Sequence, residues 1–139
     1  MTSSLESETG RIFDLPIYVD RLMRSNGPYA YIIINIVHSE DFVQLSGSAS
    51  GVEVDFPQIT PRQRSFEEKI RGVAGREGLE VVETHGSDGS RFLDLNVNGE
   101  SRVVAAICSK VLREVYSVSG DVELLFQHVG LAPNSGMGG

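Results

Sequence analysis

The sequence predicts an α+β fold in which one antiparallel sheet of about five strands carries helices packed on one face. Stretches of strand character are joined by short turns, which is typical of antiparallel neighbours. Three other stretches have the apolar spacing of amphipathic helices. Strands and helices do not alternate one for one, which disfavours a doubly wound parallel sheet. The predicted element order is α-β-β-β-α-β-β-α.

The first half of the chain is predicted to contain one helix and three strands. Residues 14–25 carry an apolar stripe at helical spacing, and Pro16 suits the first turn of a helix. The strands follow over residues 29–37, 42–48 and 51–56. In the third strand apolar and acidic residues alternate, so we expect one face of the sheet to lie in water.

The second half begins with a helix introduced by a capping box, in which the side chains of Thr60 and Gln63 each accept from the other's backbone N–H. Gly78 is well placed to end this helix. Two strands and a long amphipathic helix are then predicted over residues 80–85, 91–98 and 101–117. Residues 121–129 fit either a short terminal strand or an extended segment that folds back over the uncovered side of the sheet.

The chain of 139 residues has the size of one domain, and no internal repeat or linker divides it. We expect a single α+β domain over residues 11–131. Residues 1–10 are small, polar and acidic and are predicted to be disordered. Residues 132–139 have the composition of a flexible tail.

Several features predict a cytoplasmic protein. Cys108 is the only cysteine, so an intramolecular disulfide is impossible and a reducing compartment is expected. The N-terminus lacks the basic and apolar regions of a signal peptide. The longest uninterrupted apolar stretch, residues 30–34, is far shorter than a membrane span.

The charge balance disfavours two classes of partner. With 19 acidic and 12 basic residues, the formal charge is −7, and no run of Lys or Arg compensates locally. Such a protein repels phosphate backbones and anionic membrane surfaces at long range. We therefore expect neither nucleic acid nor a membrane as a partner.

Residues that could carry chemistry do not form a recognisable catalytic or ligand pattern. His38 and His85 each lie in a turn with Ser and Asp, where local backbone hydrogen bonding is the commoner role. Cys108 falls on the apolar face of a helix and is expected to be a buried hydrophobic residue. Acidic strand residues such as Asp55 and Asp94 follow from strand alternation and indicate a solvated face rather than a carboxylate pair. We predict no enzymatic activity, no catalytic residues, no metal and no cofactor.

Several stretches resemble the type III secretion chaperone-like domains of bacteria, specifically the YbjN-like and TY-Chap families. There, a strand with Phe-Val-Gln precedes an apolar-acidic strand, and a late helix with a Leu-Arg-x-Val-Tyr-like stretch precedes a short Leu-rich end. The matching positions are Phe42, Val43, Gln44, residues 52–56, Leu112, Arg113, Val115, Tyr116, Leu124 and Phe126. The resemblance covers nearly all of residues 11–128. It implies a helix-and-sheet sandwich that often dimerises, acts as a chaperone or adaptor, and has no catalytic residues.

Apolar residues on the predicted strands exceed what one covered sheet face requires, which favours a partner or dimer surface. The candidates for this surface are Tyr29, Tyr31, Ile33, Phe42, Phe92, Leu124 and Phe126. The leading hypothesis is therefore a non-catalytic, chaperone- or adaptor-like protein-binding module that forms a homodimer.

Two alternatives remain open. A small-molecule sensor or enzyme would need a pocket between helix and sheet, with an expected polar lining of Tyr31, Asn35, Gln44, His85 and Asp94. An immunity-type inhibitor of a partner protein would share the same acidic balance.

Overall fold

A computed structural model of the protein describes residues 4–25, 29–48 and 50–133. Over these residues the strands are β1 (Glu6–Gly10), β2 (Tyr31–Ile36), β3 (Phe42–Gly47), β4 (Gly51–Pro57), β5 (Val81–His85), β6 (Arg91–Asn98) and β7 (Leu124–Val129). The helices are α1 (Leu15–Met23), the single-turn α2 (Pro61–Arg64), α3 (Glu67–Glu77) and α4 (Ser101–Tyr116). A 3₁₀ turn, Ile12–Asp14, precedes α1.

All seven strands belong to one antiparallel sheet in the order β1-β7-β2-β3-β4-β6-β5. The α+β class and the antiparallel sheet are confirmed. The prediction of about five strands is wrong, because β1 and β7 extend the sheet on the far side of β2. The order in the chain is therefore β-α-β-β-β-α-α-β-β-α-β, instead of the predicted α-β-β-β-α-β-β-α.

Strand β1 corrects the prediction that residues 1–10 are disordered. Residues 6–10 pair along their whole length with β7. Their side chains are mostly exposed and show no apolar alternation. This edge strand is therefore held by main-chain hydrogen bonds rather than by burial of side chains, and the sequence carries no pattern that would predict it. Glu8 adds a side-chain contact, since its Oε2 lies 2.7 Å from Nε2 of the buried His128. The first three residues of the predicted disordered segment lie outside the described residues.

Strand β7 decides between the two interpretations of residues 121–129, because it is an internal strand between β1 and β2. Leu124 and Phe126 point into the core and are fully buried. Phe126 stacks on Tyr18 of α1, with ring centroids 4.2 Å apart. Their assignment to the candidate partner surface is wrong, because an internal strand buries alternate side chains beneath the helices.

The chain after β7 returns along α1. Nε of Arg21 donates to the carbonyl of Ala132 at 2.8 Å, and a guanidinium nitrogen of Arg24 donates to the carbonyl of Pro133 at 2.7 Å. The predicted flexible tail is therefore wrong for its first two residues, which these arginines fix to the helix. The rest of that tail, residues 134–139, lies outside the described residues.

The hydrophobic core lies between one face of the sheet and a layer formed by α1, α3 and α4, in which α4 packs against both other helices. The apolar faces predicted for the first and last helices are buried there, through Leu15, Val19, Leu22, Val104, Cys108, Val111, Leu112 and Val115. None of the helices within the described ranges is long and apolar enough to cross a membrane.

The capping box predicted before α2 is present. Oγ1 of Thr60 accepts from the backbone N–H of Gln63 at 3.1 Å, and Oε1 of Gln63 accepts from the N–H of Thr60 at 3.0 Å. The single helix expected beyond it is divided into α2 and α3. The backbone N–H groups of Ser65 and Phe66 bond the carbonyls three residues earlier, which is the tighter 3₁₀ pattern. Gly78 ends α3 in the left-handed conformation, with φ of 70°.

Candidate functional site

The face of the sheet opposite the helices is covered by no other element among the described residues. We call it the open face. Along β2, β3 and β7, fully buried residues alternate with half-buried ones, and the half-buried set points away from the helices. The principal open-face residues are Tyr31, Ile33, Asn35, Phe42, Gln44, Glu53, Asp55, Phe92, Asp94, Asn96, Leu125 and Gln127.

The apolar part of the open face lies on β2 and its two neighbours. Tyr31, Ile33 and Phe42 are half-buried there, and Leu125 of β7 lies across β2 from Phe42. These three predicted surface residues are therefore brought together by the fold. Cross-strand neighbours of this kind present one continuous surface to a partner.

Two further predicted surface residues lie apart from this group. Phe92 is also half-buried on the open face, but it belongs to β6 and lies opposite Pro57 of β4. Tyr29 precedes β2 and is 84% exposed. Phe92 and the β2 group thus flank the middle of the open face from opposite sides of β4.

Next to the apolar group, two amide side chains are fixed to one another. Nδ2 of Asn35 donates to Oε1 of Gln127 at 2.8 Å and to the carbonyl of Leu125 at 3.3 Å. A side chain held by two hydrogen bonds has lost its rotamer freedom before any partner arrives. This part of the open face is therefore preorganised.

In the middle of the open face, Asp55 of β4 and Asp94 of β6 lie directly opposite one another in the antiparallel register. Asp94 is only 7% exposed, and its Oδ2 accepts from Oγ1 of Thr84 at 3.1 Å. Oδ1 of Asp55 is buried and receives no hydrogen bond. Glu53 stands two residues before Asp55 on the same face of β4. The solvated face expected for Asp55 and Asp94 is therefore a carboxyl pair in which Asp94 is buried and Asp55 is half-buried.

The surroundings of the carboxyl pair favour protonation. Burial raises the pKa of Asp55 to about 8, and the neighbouring carboxyl group of Asp94 and the negative charge of Glu53 act in the same direction. Burial and the charge of Asp94 also raise the pKa of Glu53. The arrangement can hold a proton, or it can accept a cationic group that displaces one.

The basic residues are absent from the open face. All twelve Lys and Arg fall within the described residues: Arg11, Arg21, Arg24, Arg62, Arg64, Lys69, Arg71, Arg76, Arg91, Arg102, Lys110 and Arg113. Ten belong to or directly follow a helix, and Arg11 precedes the 3₁₀ turn. Arg91 is on β6, but its guanidinium points to the helical side and bonds Glu67 of α3 at 2.8 and 3.0 Å. The cations thus lie on the helical side, together with acidic partners such as Asp20, Glu67 and Glu77, whereas the charged groups of the open face are acidic.

The pocket hypothesis placed five residues between helix and sheet, and the structure does not bring them together there. Tyr31, Asn35, Gln44 and Asp94 lie on the open face. His85 lies on the other side of the sheet, at its exposed edge, where its Nε2 is 3.1 Å from Oε2 of Glu83.

A separate groove of about 430 Å³ crosses the outer surface of the helical layer, between the start of α1 and the side of α4 that faces solvent. Its lining is largely apolar and includes Phe13, Pro16 and Ala106 with Arg102 and Arg113 at its margins.

The other residues considered for chemistry are used structurally. Ser39 and Asp41, beside His38, bond one another, and the carboxylate of Asp41 accepts hydrogen bonds from Nε and Nη2 of Arg62 at 2.8 and 2.7 Å. Cys108 is buried, which raises the pKa of its thiol to about 12. No group of three or more potential metal ligands occurs within the described part of the chain.

The carboxyl pair is the feature that sequence reasoning missed. β4 and β6 are separated in the chain by α2, α3 and β5, so nothing local indicates that they pair or in which register. The only available signal was that each strand carries acidic or amide residues on one side. Comparison with protein-family models, curated proteins and solved structures found no match to this chain.

Proposed function

We propose that the protein is a non-catalytic protein-binding module, chaperone- or adaptor-like as the resemblance implies, whose partner docks on the open face. The observation that supports this proposal is a sheet face that no helix covers among the described residues, and that combines half-buried apolar side chains with the carboxyl pair of Asp55 and Asp94. An exposed apolar patch of this kind commonly marks a site where another protein binds. With its single cysteine buried, the protein suits the cytoplasm.

The charge on the open face specifies the partner's chemistry. The partner must supply apolar groups for Tyr31, Ile33 and Phe42, and a Lys or Arg side chain for Asp55 and Asp94. A cation placed there meets two carboxyl groups with little solvent screening, where electrostatic attraction is stronger than at an exposed site. Within the described residues, the protein itself has no cation on this face to compete with the partner's.

A second copy of the chain does not satisfy this requirement face to face. In a two-fold dimer through the open face, the same patch meets itself. Apolar groups would match, but each copy would also bring acidic groups and no cation. The homodimer that the resemblance implies would therefore use another surface.

Site-directed photo-crosslinking in the source organism tests the proposal. A photoreactive phenylalanine analogue is placed at Phe42 on the open face or, as the matched control, at Phe13, which is 72% exposed on the helical side. We expect a discrete crosslinked protein from Phe42 only. Introducing Ile33→Arg should abolish that crosslink, because it adds a cation and bulk to the docking surface.

The identified partner then provides the second half of the test. Mass spectrometry should place a Lys or Arg of the partner next to Asp55, and changing it to Gln should weaken binding by about thirtyfold or more in calorimetry. Crosslinks from Phe13 alone, or a partner whose binding ignores both Ile33→Arg and its own basic residue, would contradict the proposal. If the bound partner is an enzyme that loses activity in the complex, the protein is an immunity-type inhibitor rather than a chaperone or adaptor.

A further inference from the structure

The carboxyl pair on the open face has a chemical property that does not depend on any partner. Directly opposed residues of antiparallel strands have Cβ atoms about 4.5–5.5 Å apart. Asp55 and Asp94 occupy such positions; Asp94 is buried, and Asp55 is half-buried with its Oδ1 enclosed. Two ionised carboxylates at that separation repel strongly where water does not screen them.

We propose that Asp55 and Asp94 hold one proton between them at neutral pH, and that loss of this proton switches the charge in the middle of the open face. The buried Oδ1 of Asp55, which receives no hydrogen bond, supports this assignment. Buried polar atoms are almost always paired. A proton shared by the two carboxyl groups provides an O–H donor where none is otherwise available.

Among the described residues, the groups around the pair carry no positive charge that could neutralise it. Gln44 of β3 lies opposite Asp55, and Val82 of β5 lies opposite Asp94. Thr84 donates to one oxygen of Asp94 and carries no charge. Glu53 is the charged neighbour, and its negative charge disfavours ionisation of the pair further. The helices, with their cations, pack on the opposite side of the sheet.

Proton sharing by the pair stands without the proposed function, whereas its consequence for binding rests on it. If a partner's Lys or Arg occupies the pair, binding releases the shared proton and becomes tighter as pH rises. The experiment below uses the free protein, so its result separates the two claims.

Carbon-13 NMR of labelled aspartate carboxyls follows the titration in the folded wild-type protein. Asp55 and Asp94 should titrate together in two steps, as coupled groups do. One step should lie in the ordinary acidic range and the other above about pH 6. In Asp55→Asn the upper of the two steps should disappear. Asp88→Asn, in an exposed turn, is the matched control and should change neither signal.

Urea unfolding across the same pH range gives a second measurement. A carboxyl whose folded pKa is raised stabilises the protein fully below its unfolded pKa, and this contribution is lost as pH rises to the folded pKa. Between these values the unfolding constant should increase by up to about tenfold per pH unit, and Asp55→Asn should flatten this dependence. If both carboxyls of the wild-type protein are fully ionised below about pH 5, the proposal is wrong whatever the variants do.

Discussion

At the scale of single residues, Gly51 shows how closely the strands of this sheet approach. It begins β4 opposite Asn98 of β6. A Cβ atom at this position would lie 1.9 Å from the carbonyl oxygen of Val97 and 2.8 Å from Cα of Asn98. Both obstacles are backbone atoms, which cannot rotate away. The absence of a side chain at Gly51 therefore permits the pairing that sets Asp55 against Asp94.

We expect Gly51→Ala to lower the free energy of unfolding by about 1–3 kcal/mol, because the strands must shift to admit the methyl group. Gly75→Ala is the matched control, since Gly75 lies in α3 and an added Cβ there meets nothing within 4 Å. That change should raise the free energy of unfolding by about 0.5–1 kcal/mol. Urea denaturation measures both, and a neutral Gly51→Ala would contradict the close approach.

The sequence alone predicted part of the environment of Asp55. Alternation along residues 51–56 correctly predicted that Asp55 points away from the core. It could not predict that Asp55 is half-buried with its Oδ1 enclosed, because its neighbour Asp94 arrives from a strand far along the chain. Local patterns fix the side of a strand on which a residue lies, whereas burial on that side depends on non-local register.

At the scale of elements, β1 is an edge strand held mainly by its backbone. It is a five-residue edge strand with largely exposed side chains. Besides its main-chain pairing with β7, it is joined to the core by Glu8, which contacts the buried His128. This hydrogen bond lowers the pKa of Glu8, so the contact is retained above the ordinary pKa of Glu and is lost as pH falls through the lowered value.

Replacing Glu8 with Gln removes the charge from this contact and should loosen β1 alone. We expect the amides of β1 to exchange with deuterium about three- to tenfold faster at constant pH, while those of β5 and β6 keep their rates. Glu6→Gln is the control on the same strand, because Oε2 of Glu6 is 4.0 Å from Nδ1 of His128. Equal effects of the two changes would show that Glu8 has no special role.

The helices were easier to predict than the strands at the two ends of the sheet. The capping box at Thr60 and the glycine at position 78 are local signals, and both proved correct. Strand β1 carries no apolar pattern, since its stability comes from backbone pairing with a partner near the other end of the chain. Residues 124–129 carried a suitable pattern, but only the complete sheet shows that they form an internal strand.

At the scale of the whole molecule, acidic groups on the open face oppose a helical layer that carries most of the cations. Self-association through two open faces would place like charges against each other. We therefore expect Ile33→Arg to leave the molar mass in solution unchanged, while it abolishes partner binding. Light scattering over a concentration series, at moderate salt, measures the mass of both proteins.

Two results of that measurement have clear meanings. If the wild-type protein is a dimer and Ile33→Arg is equally dimeric, the dimer uses a surface away from the open face, as proposed. A wild-type dimer that dissociates in Ile33→Arg would instead assign the open face to self-association. Tyr29→Arg is the matched control for Ile33→Arg, because Tyr29 is highly exposed but lies before β2, apart from the apolar group of the open face.

The position of β7 between β1 and β2 also determines when the sheet can form during synthesis of the chain. The first two strands of the nascent chain have no neighbour for their facing edges until residues 124–129 have been made. A chain that stops short of those residues lacks an internal strand together with Leu124 and Phe126 of the core. The sheet can therefore close only after residues 124–129 have been synthesised, and a chain that terminates before them cannot join β1 to β2.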